Sequence, residues 1–369
     1  MSEIKFKSKA KPKWQTVFDS VCLDIKAEKF RAGNPFHTVK ELSQIYNVSN
    51  ITSRRVFQEL KTRDMIETNG RQGTTITPKK QKQKVFLCLR SEVFHTSDSV
   101  MDTGTYPFYH ELSEGFKNKG MGDCFEIVQI SVNLLQSHPE DFKGRDIIVS
   151  GSVLLNVEDK VDKSINQQMV EYLEKEFNPI ILHGFDGISE NMTQVESDSY
   201  HGFHTATCFL AKKGYKRIGF LSGQTHSVWN YPKFKGYSDA LYECGLDFFP
   251  QLFKVVSRED HHGDLAAIKE LLEGPDKPDS VICAHDVIAL HVIEYCKKKN
   301  ISIPGELAVV GFGNHHESSY CKPSLTSLDR KVSDMAYTVL NLLKQRKNGK
   351  LKAPVRIKIK PELIIRESA

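Results

Sequence analysis

No run of eighteen consecutive apolar residues occurs anywhere in the 369-residue chain, so a membrane-spanning helix is not expected. The N-terminus lacks the apolar core of a secretory signal and carries instead a ladder of Lys5, Lys7, Lys9, Lys11 and Lys13, which points to a cytoplasmic chain. Its eight cysteines form no CxxC pair. Most lie in apolar runs such as Leu87-Cys88-Leu89 and Val281-Ile282-Cys283, and they read as buried thiols rather than a disulfide framework or a zinc site. GxxxxGK[ST], GxSxG and HExxH are all missing. Gly311-Phe312-Gly313 opens a dinucleotide fingerprint, but His316 stands where the third glycine belongs. His201 with His204, His261-His262 and His315-His316 are close in sequence, yet fourteen histidines spread along the chain make chance clustering the better account, so no metal or other cofactor is expected. No Cys, Ser or Lys sits in a recognisable nucleophile setting, and the chain does not read as an enzyme.

What is present is ordinary globular material: 39% hydrophobic and 26% charged residues, in a length that suits two or three domains. The net charge of +5 is unevenly divided. Residues 1–84 carry 18 Lys and Arg against 8 Asp and Glu, whereas the rest carry 33 against 38. A basic module that meets a polyanion therefore precedes a mildly acidic one with another task.

In the basic part, Trp14, Phe18, Val21 and Ile25 recur at helical spacing, which predicts an amphipathic helix over 14–28. Thr38 followed by Glu41 has the form of a capping box and opens a second helix with Val39, Leu42 and Ile45 inward. Ser49 is placed to cap a third helix whose inner side is Val56, Phe57 and Leu60. Met65–Thr68 and Thr74–Thr77 then read as two strands around a glycine-bearing turn. The stretch from Phe36 to Ile76 resembles the GntR-type winged helix-turn-helix, with Asn50 and Lys40 where that family has arginines. An α+β winged helix-turn-helix domain is therefore expected over 1–78, followed by a polar linker over 79–84. Arg54 is positioned to donate twice to guanine and Asn50 to pair with adenine, from a face shared with Ser53 and Arg55. Thr38, Lys40, Thr52 and Arg71 suit phosphates, and Ser49 completes the candidate DNA set.

From Val85 onward, apolar runs (85–89, 125–130, 146–149, 179–182, 217–221, 280–284 and 307–312) alternate with helical patterns at 109–119, 200–213, 233–244 and 287–299. That alternation predicts parallel sheets covered on both faces, and about 285 residues exceed one comfortable core, so two lobes are expected. Tyr106–Gly115, Asp198–Gly202, Gly214–Leu221, Gly236–Leu241, Ala284–Asp286, Val309–Phe312, Leu325–Ser327 and Pro361–Ser368 come in the order found in LacI/GalR-type effector domains, which resemble periplasmic sugar-binding proteins. The resemblance implies an α/β bilobed domain over 85–369, two Rossmann-like parallel sheets with crossovers near Val195, Ser327 and Lys350, and a small ligand between the lobes.

It also implies ligand contacts. Phe108 and Tyr109 match the family's aromatic pair, and Asp286 is retained. The pocket arginine is Lys233, the asparagine before Asp286 is His285, and Gly313 followed by Asn314 replaces the acid after the Gly-Phe pair. Arg258 stands near a position often aromatic. Asp198 and Trp229, with Tyr231 as a further stacking candidate, complete the set. Losing a carboxylate while keeping cations makes an acid-bearing sugar as good a candidate as a neutral one. The expected whole is a transcriptional regulator, a homodimer on double-stranded operator DNA, controlled by a saccharide effector. Two competing readings remain: a sugar-acting enzyme, for which Asp198 and Asp286 are the only tempting acids, and a nucleobase or nucleotide sensor stacking a purine on Phe108 and Tyr109.

Arg54→Ala should weaken specific DNA binding by about 1–3 kcal/mol and relax preference at one base pair. Lys40→Ala should instead weaken all sequences alike and reduce the salt slope by about one unit. Fluorescence anisotropy on specific and random duplexes over a salt series separates the two, and identical behaviour of both variants refutes the assignment.

Overall fold

A computed structural model describes residues 12–26, 35–62, 65–69, 73–76, 82–90, 112, 114–116, 125–155, 165–185, 187–223, 228–256 and 261–369. The chain divides into two compact units, Met1–Gln81 and Lys82–Ala369.

In the first unit the 3.6-residue periodicity produces α1 (Lys13–Lys26), which buries Val17, Phe18 and Val21. Helix α2 (Val39–Ile45) starts at the expected capping box: the Thr38 hydroxyl accepts from the Glu41 N–H (3.2 Å), and the Thr38 N–H donates to Glu41 Oε2 (2.7 Å). Ser49 caps α3 (Asn50–Thr62) by accepting from the Thr52 N–H at 3.2 Å. Strands β1 (Ile66–Asn69) and β2 (Gly73–Ile76) pair antiparallel, Ile66 opposite Ile76 and Asn69 opposite Gly73. Met65 lies outside β1, and Gly73 (φ +81°) opens β2, one residue earlier than the sequence suggests. The Phe36 N–H donates to Thr74 O (2.7 Å), tying the segment before α2 to β2. Phe36, Leu42, Val56, Leu60, Ile66 and Ile76 close one small core with the inner stripe of α1.

The second unit contains two six-stranded sheets. In the first, β13 (Arg356–Ile359), β7 (Thr193–Ser197), β6 (Ile180–Leu182), β5 (Asp146–Ser150), β3 (Gln83–Leu89) and β4 (Phe125–Ser131) lie side by side in that order, every pair parallel. In the second the order is β14 (Glu362–Ile364), β12 (Thr326–Asp329), β11 (Ala308–Phe312), β10 (Ser280–Cys283), β8 (Ile218–Ser222) and β9 (Phe253–Val255), parallel except for the β12–β14 edge. Strands such as β8 and β11 are buried at all five positions, as sheets covered on both faces require. Strand β3 begins at Gln83, so the stretch 79–84 expected as linker already contains two strand residues; the alternation that buries Val85 and Leu87 extends back through it.

The helices are α4 (Val132–Ser137), α5 (Gln167–Glu176), α6 (Ser199–Lys212), α7 (Asn230–Glu243), α8 (His261–Glu273), α9 (Asp286–Lys299), α10 (His316–Tyr320) and α11 (Val332–Lys347). Helix α11 covers one face of the first sheet with Val332, Met335, Ala336, Val339 and Leu343, while α6, α7 and α9 pack on the second. The chain therefore changes lobe three times: between β7 and α6, between β12 and α11, and between β13 and β14. The first two changes fall within a few residues of Val195 and Ser327. The third falls at Lys360-Pro361 and not near Lys350, because β13 first pairs with β7, Ile357 beside Val195, and keeps the chain in the first lobe.

Gly236 lets α6 and α7 touch backbone to backbone: a Cβ there would stand 2.2 Å from Tyr200 O. Gly236→Ala should destabilise the protein by about 1–3 kcal/mol, read as a lower urea midpoint. An unchanged midpoint would show that the helix pair yields freely.

Candidate ligand cleft and nucleic-acid face

On the first unit, Lys40, Asn50 and Arg54 are exposed, as contact with a polyanion requires. Thr38 and Ser49 are exposed too, but their hydroxyls are engaged as caps. Thr52 is half-buried, with its hydroxyl 3.0 Å from that of Ser49. The Arg55 guanidinium lies 4.4 Å from the centroid of the Trp14 ring, a cation–π contact that anchors it within the unit. Ser53 is fully buried, contrary to its expected place on the outer face. Spacings of three and seven residues put it on the stripe of Val56 and Leu60, and its hydroxyl has no hydrogen-bond partner. Arg71 lies outside the described residues. The residue that sequence reasoning missed here is Ile51, 82% exposed beside Asn50.

In the second unit an open, shallow crevice sits where parallel α/β sheets place ligands, at the carboxyl ends of strands. The first lobe contributes His183, Gly184 and Phe185 after β6, Glu196 and Ser197 at the end of β7, and Lys358 on β13. The second contributes Tyr200, Trp229 and Pro232, and Asp198 stands at the crossover between them. The Trp229 ring is 5.4 Å from that of His183 and meets Phe185 edge-on at 5.8 Å, so it is held by aromatic neighbours from the first lobe. Its Nε1 is buried without a hydrogen-bond partner, and so are the hydroxyls of Ser197 and of Ser222 at the end of β8. Unsatisfied buried polar atoms are few in native proteins, and of these three residues Trp229 and Ser197 line the crevice. Asp198 caps α6 by accepting from the His201 N–H at 3.0 Å. Glu196 accepts from Arg356 (2.8 Å to Nη2), with Lys358 Nζ at 3.5 Å.

Lys233 does not line this crevice. It lies one turn beyond Trp229 on α7, 3% exposed, with Nζ donating to Ala284 O (3.2 Å), 3.3 Å from His285 Nε2 and 4.9 Å from the centroid of Phe312. The Arg330 guanidinium, 5% exposed, is 5.7 Å from the same ring, and His285 meets that ring edge-on. Two cations thus flank one aromatic side chain.

Asp286, expected as a ligand contact, is fully buried and its oxygens are occupied within the lobe. Oδ2 accepts from the His315 N–H (2.8 Å) and the Ser318 hydroxyl (2.6 Å); Oδ1 accepts from the Ser327 hydroxyl (2.6 Å). It joins the start of α9 to α10 and β12. Asn314, with φ +53°, is similarly engaged: its carbonyl oxygen accepts from Arg366 (2.6 Å) and its amide donates to Asp329 (3.2 Å). His315 is buried beside Arg330, and burial lowers its pKa, opposed by the charge of Asp286. Phe108, Tyr109 and Arg258 lie outside the described residues. His183, Ser197, Ser222, Lys358 and Arg330 were missed; His183 and Ser222 follow or end apolar strands, a position from which they were readable.

Among the described residues no group of three or more His, Cys, Asp or Glu side chains is arranged to hold a metal ion, and no helix is long and apolar enough to cross a membrane.

A family profile described as a periplasmic binding protein-like domain matches residues 207–369. The second unit has the periplasmic-binding-protein-like fold. With this domain in place, the transcriptional repressor PurR of Histophilus somni (strain 2336) is 28% identical over 190 residues, 52% of this chain and 57% of that protein. The chain thus matches little more than half the length of that relative. PurR of Mannheimia succiniciproducens is 25% identical over 338 residues, covering 90% of this chain and 98% of its own. The solved regulator CelR in complex with cellobiose superposes with a TM-score of 0.61 at 19% identity, over 90% of this chain and 100% of CelR, a likeness of fold. These relatives are named as transcriptional regulators and not as enzymes. They support the LacI/GalR part of the resemblance, and none lends support to the GntR part.

Removing the Asp286 carboxylate leaves two hydroxyls and an N–H buried without an acceptor. Asp286→Ala should cost about 3–5 kcal/mol of stability, whereas Asp198→Ala, a cap at a half-buried position, should cost about 1 kcal/mol. Urea denaturation of the two variants checks the order, and equal losses would contradict the clamp.

Proposed function

We propose that the chain is a DNA-binding transcriptional regulator whose operator affinity is set by a small effector held between the two lobes of its second unit. The observation that carries this reading is the crevice itself, built by both lobes at the carboxyl ends of their strands and bordered by a crossover. The PurR relatives, named as repressors, support the same role. On this reading the first unit, residues 1–78, is a winged helix-turn-helix: three helices and an antiparallel strand pair in the required order, with α3 as the recognition helix. Arg54 and Asn50 read guanine and adenine in the major groove, Ile51 packs on a thymine methyl, and Lys40 contacts phosphate. Arg55, stacked on Trp14, stiffens the helix pair beneath them.

The effector class we infer is a saccharide, in keeping with the cellobiose carried by CelR. Trp229 offers a stacking face, and the unpaired Trp229 Nε1 and Ser197 hydroxyl suit a polyhydroxylated ligand. Lys358, on the crevice wall, is the cation that meets an acidic group on that sugar. Closure of the lobes on the ligand shifts the placement of two DNA-binding heads in a homodimer, and a coupling of about 1–3 kcal/mol changes occupancy about 5- to 150-fold.

The test is thermal-shift titration of the full chain with cellobiose, glucuronate and glucose 6-phosphate, followed by operator anisotropy with any ligand that binds. Acidic sugars should raise the melting temperature most. A shift by neutral sugars alone overturns the acidic preference, and a chain that binds no duplex at low salt overturns the regulator reading.

A further inference from the structure

The region where α6 and α7 run together away from the cleft holds a cluster that the ligand site does not use. The absence of a Cβ at Gly236 brings the two helices into backbone contact, and this carries Cys208, on α6, up to Cys244, at the C-cap of α7. Their sulfurs are 3.5 Å apart. Cys88, Cys283 and Cys296 are buried, and Cys22 lies against Met65. Both members of the pair are half-buried, so the expectation of uniformly buried, inert thiols does not hold for them. One turn before Cys208 on the same helix face, His204 places Nδ1 3.8 Å from the Cys208 sulfur, while its Nε2 lies 2.9 Å from Glu243 Oε2. The His204 and Glu243 side chains are 24% and 58% exposed, so the cluster opens to solvent.

We propose that Cys208 and Cys244 form a reversible disulfide by exchange with a low-molecular-weight disulfide. With Nε2–H donated to Glu243, His204 Nδ1 is an acceptor and takes the Cys208 proton. The Cys208 sulfur attacks the small disulfide, releases one thiolate and forms a mixed disulfide; the Cys244 sulfur then attacks Cys208, and the second small thiolate leaves. Two protein thiols are oxidised by two electrons, the small disulfide is reduced to two thiols, and the protons pass through His204 to the leaving groups.

Closing the bond requires the sulfurs to approach from 3.5 Å to about 2.05 Å. Burial, the Cys244 thiol and the charge of Glu243 push the Cys208 thiol up to about 11. The Cys208 thiol is therefore protonated at rest and slow to react, which distinguishes it from a rapid peroxide trap.

The experiment incubates the full chain with oxidised and reduced glutathione at a series of ratios, quenches with a maleimide, counts thiols and maps peptides by mass. The expected result is a fall from eight to six thiols and one linked peptide pair, containing Cys208 and Cys244, lighter by two hydrogens. Cys208→Ser and Cys244→Ser should each abolish that pair. His204→Gln should slow its formation several-fold and leave the equilibrium ratio unchanged. Retention of all eight thiols, or a linked pair that omits either cysteine, overturns the proposal, and an unaltered rate in His204→Gln removes His204 from it.

Discussion

Parallel strands have all their carboxyl ends on one side of the sheet, because each must be rejoined to the next through a crossover over the face. The second unit inherits its design from that constraint. Every pairing in the first sheet, and all but one in the second, obeys it, so loops after β6, β7 and β8 collect where a ligand can be enclosed. Helices α6 and α7 start on this side, which is why Asp198 and Trp229 come to the same crevice from different stretches of sequence. The lobe changes at β7–α6, β12–α11 and β13–β14 are the points at which one sheet passes material to the other.

Within the second lobe, polar groups divide into three sorts. Asp286 with Ser318, Ser327 and His315, and Asn314 with Asp329 and Arg366, satisfy one another and fix loops relative to the sheet. Trp229 Nε1 and the hydroxyls of Ser197 and Ser222 have no such partners. The first sort specifies the shape of the lobe and the second is left for something else to satisfy. Lys233 and Arg330 form a third sort: buried cations set against the Phe312 ring, 4.9 Å and 5.7 Å from its centroid.

Local rules gave the parts of the fold that local interactions decide. The Thr38–Glu41 capping box, the Ser49 cap and the apolar strands β5, β8, β10 and β11 were all legible, since capping and two-sided burial leave strong residue patterns. Strand β7, Thr-Gln-Val-Glu-Ser, was not: it is buried at every position, but only because β6 and β13 flank it and Arg356 reaches Glu196. The edge strands β13 and β14 were equally silent, and the third lobe change was misplaced with them. Among the site residues, a helix-face argument put Ser53 one step too far outward. Family likeness placed Asp286 correctly in the chain but not in its role, because sequence does not show how many neighbouring hydroxyls a carboxylate has already taken up. The meeting of Cys208 with Cys244 depends on a glycine in another helix turn, and no pattern in either cysteine's own neighbourhood announces it.

Only Lys360 and Pro361 separate β13 from β14, one strand in each sheet. Three Cα steps reach at most about 11 Å, so at this border the lobes are kept on a short leash however the rest of the chain flexes. The edge strands β4 and β9 lie at the opposite margins of the two sheets, farthest in strand order from this tie.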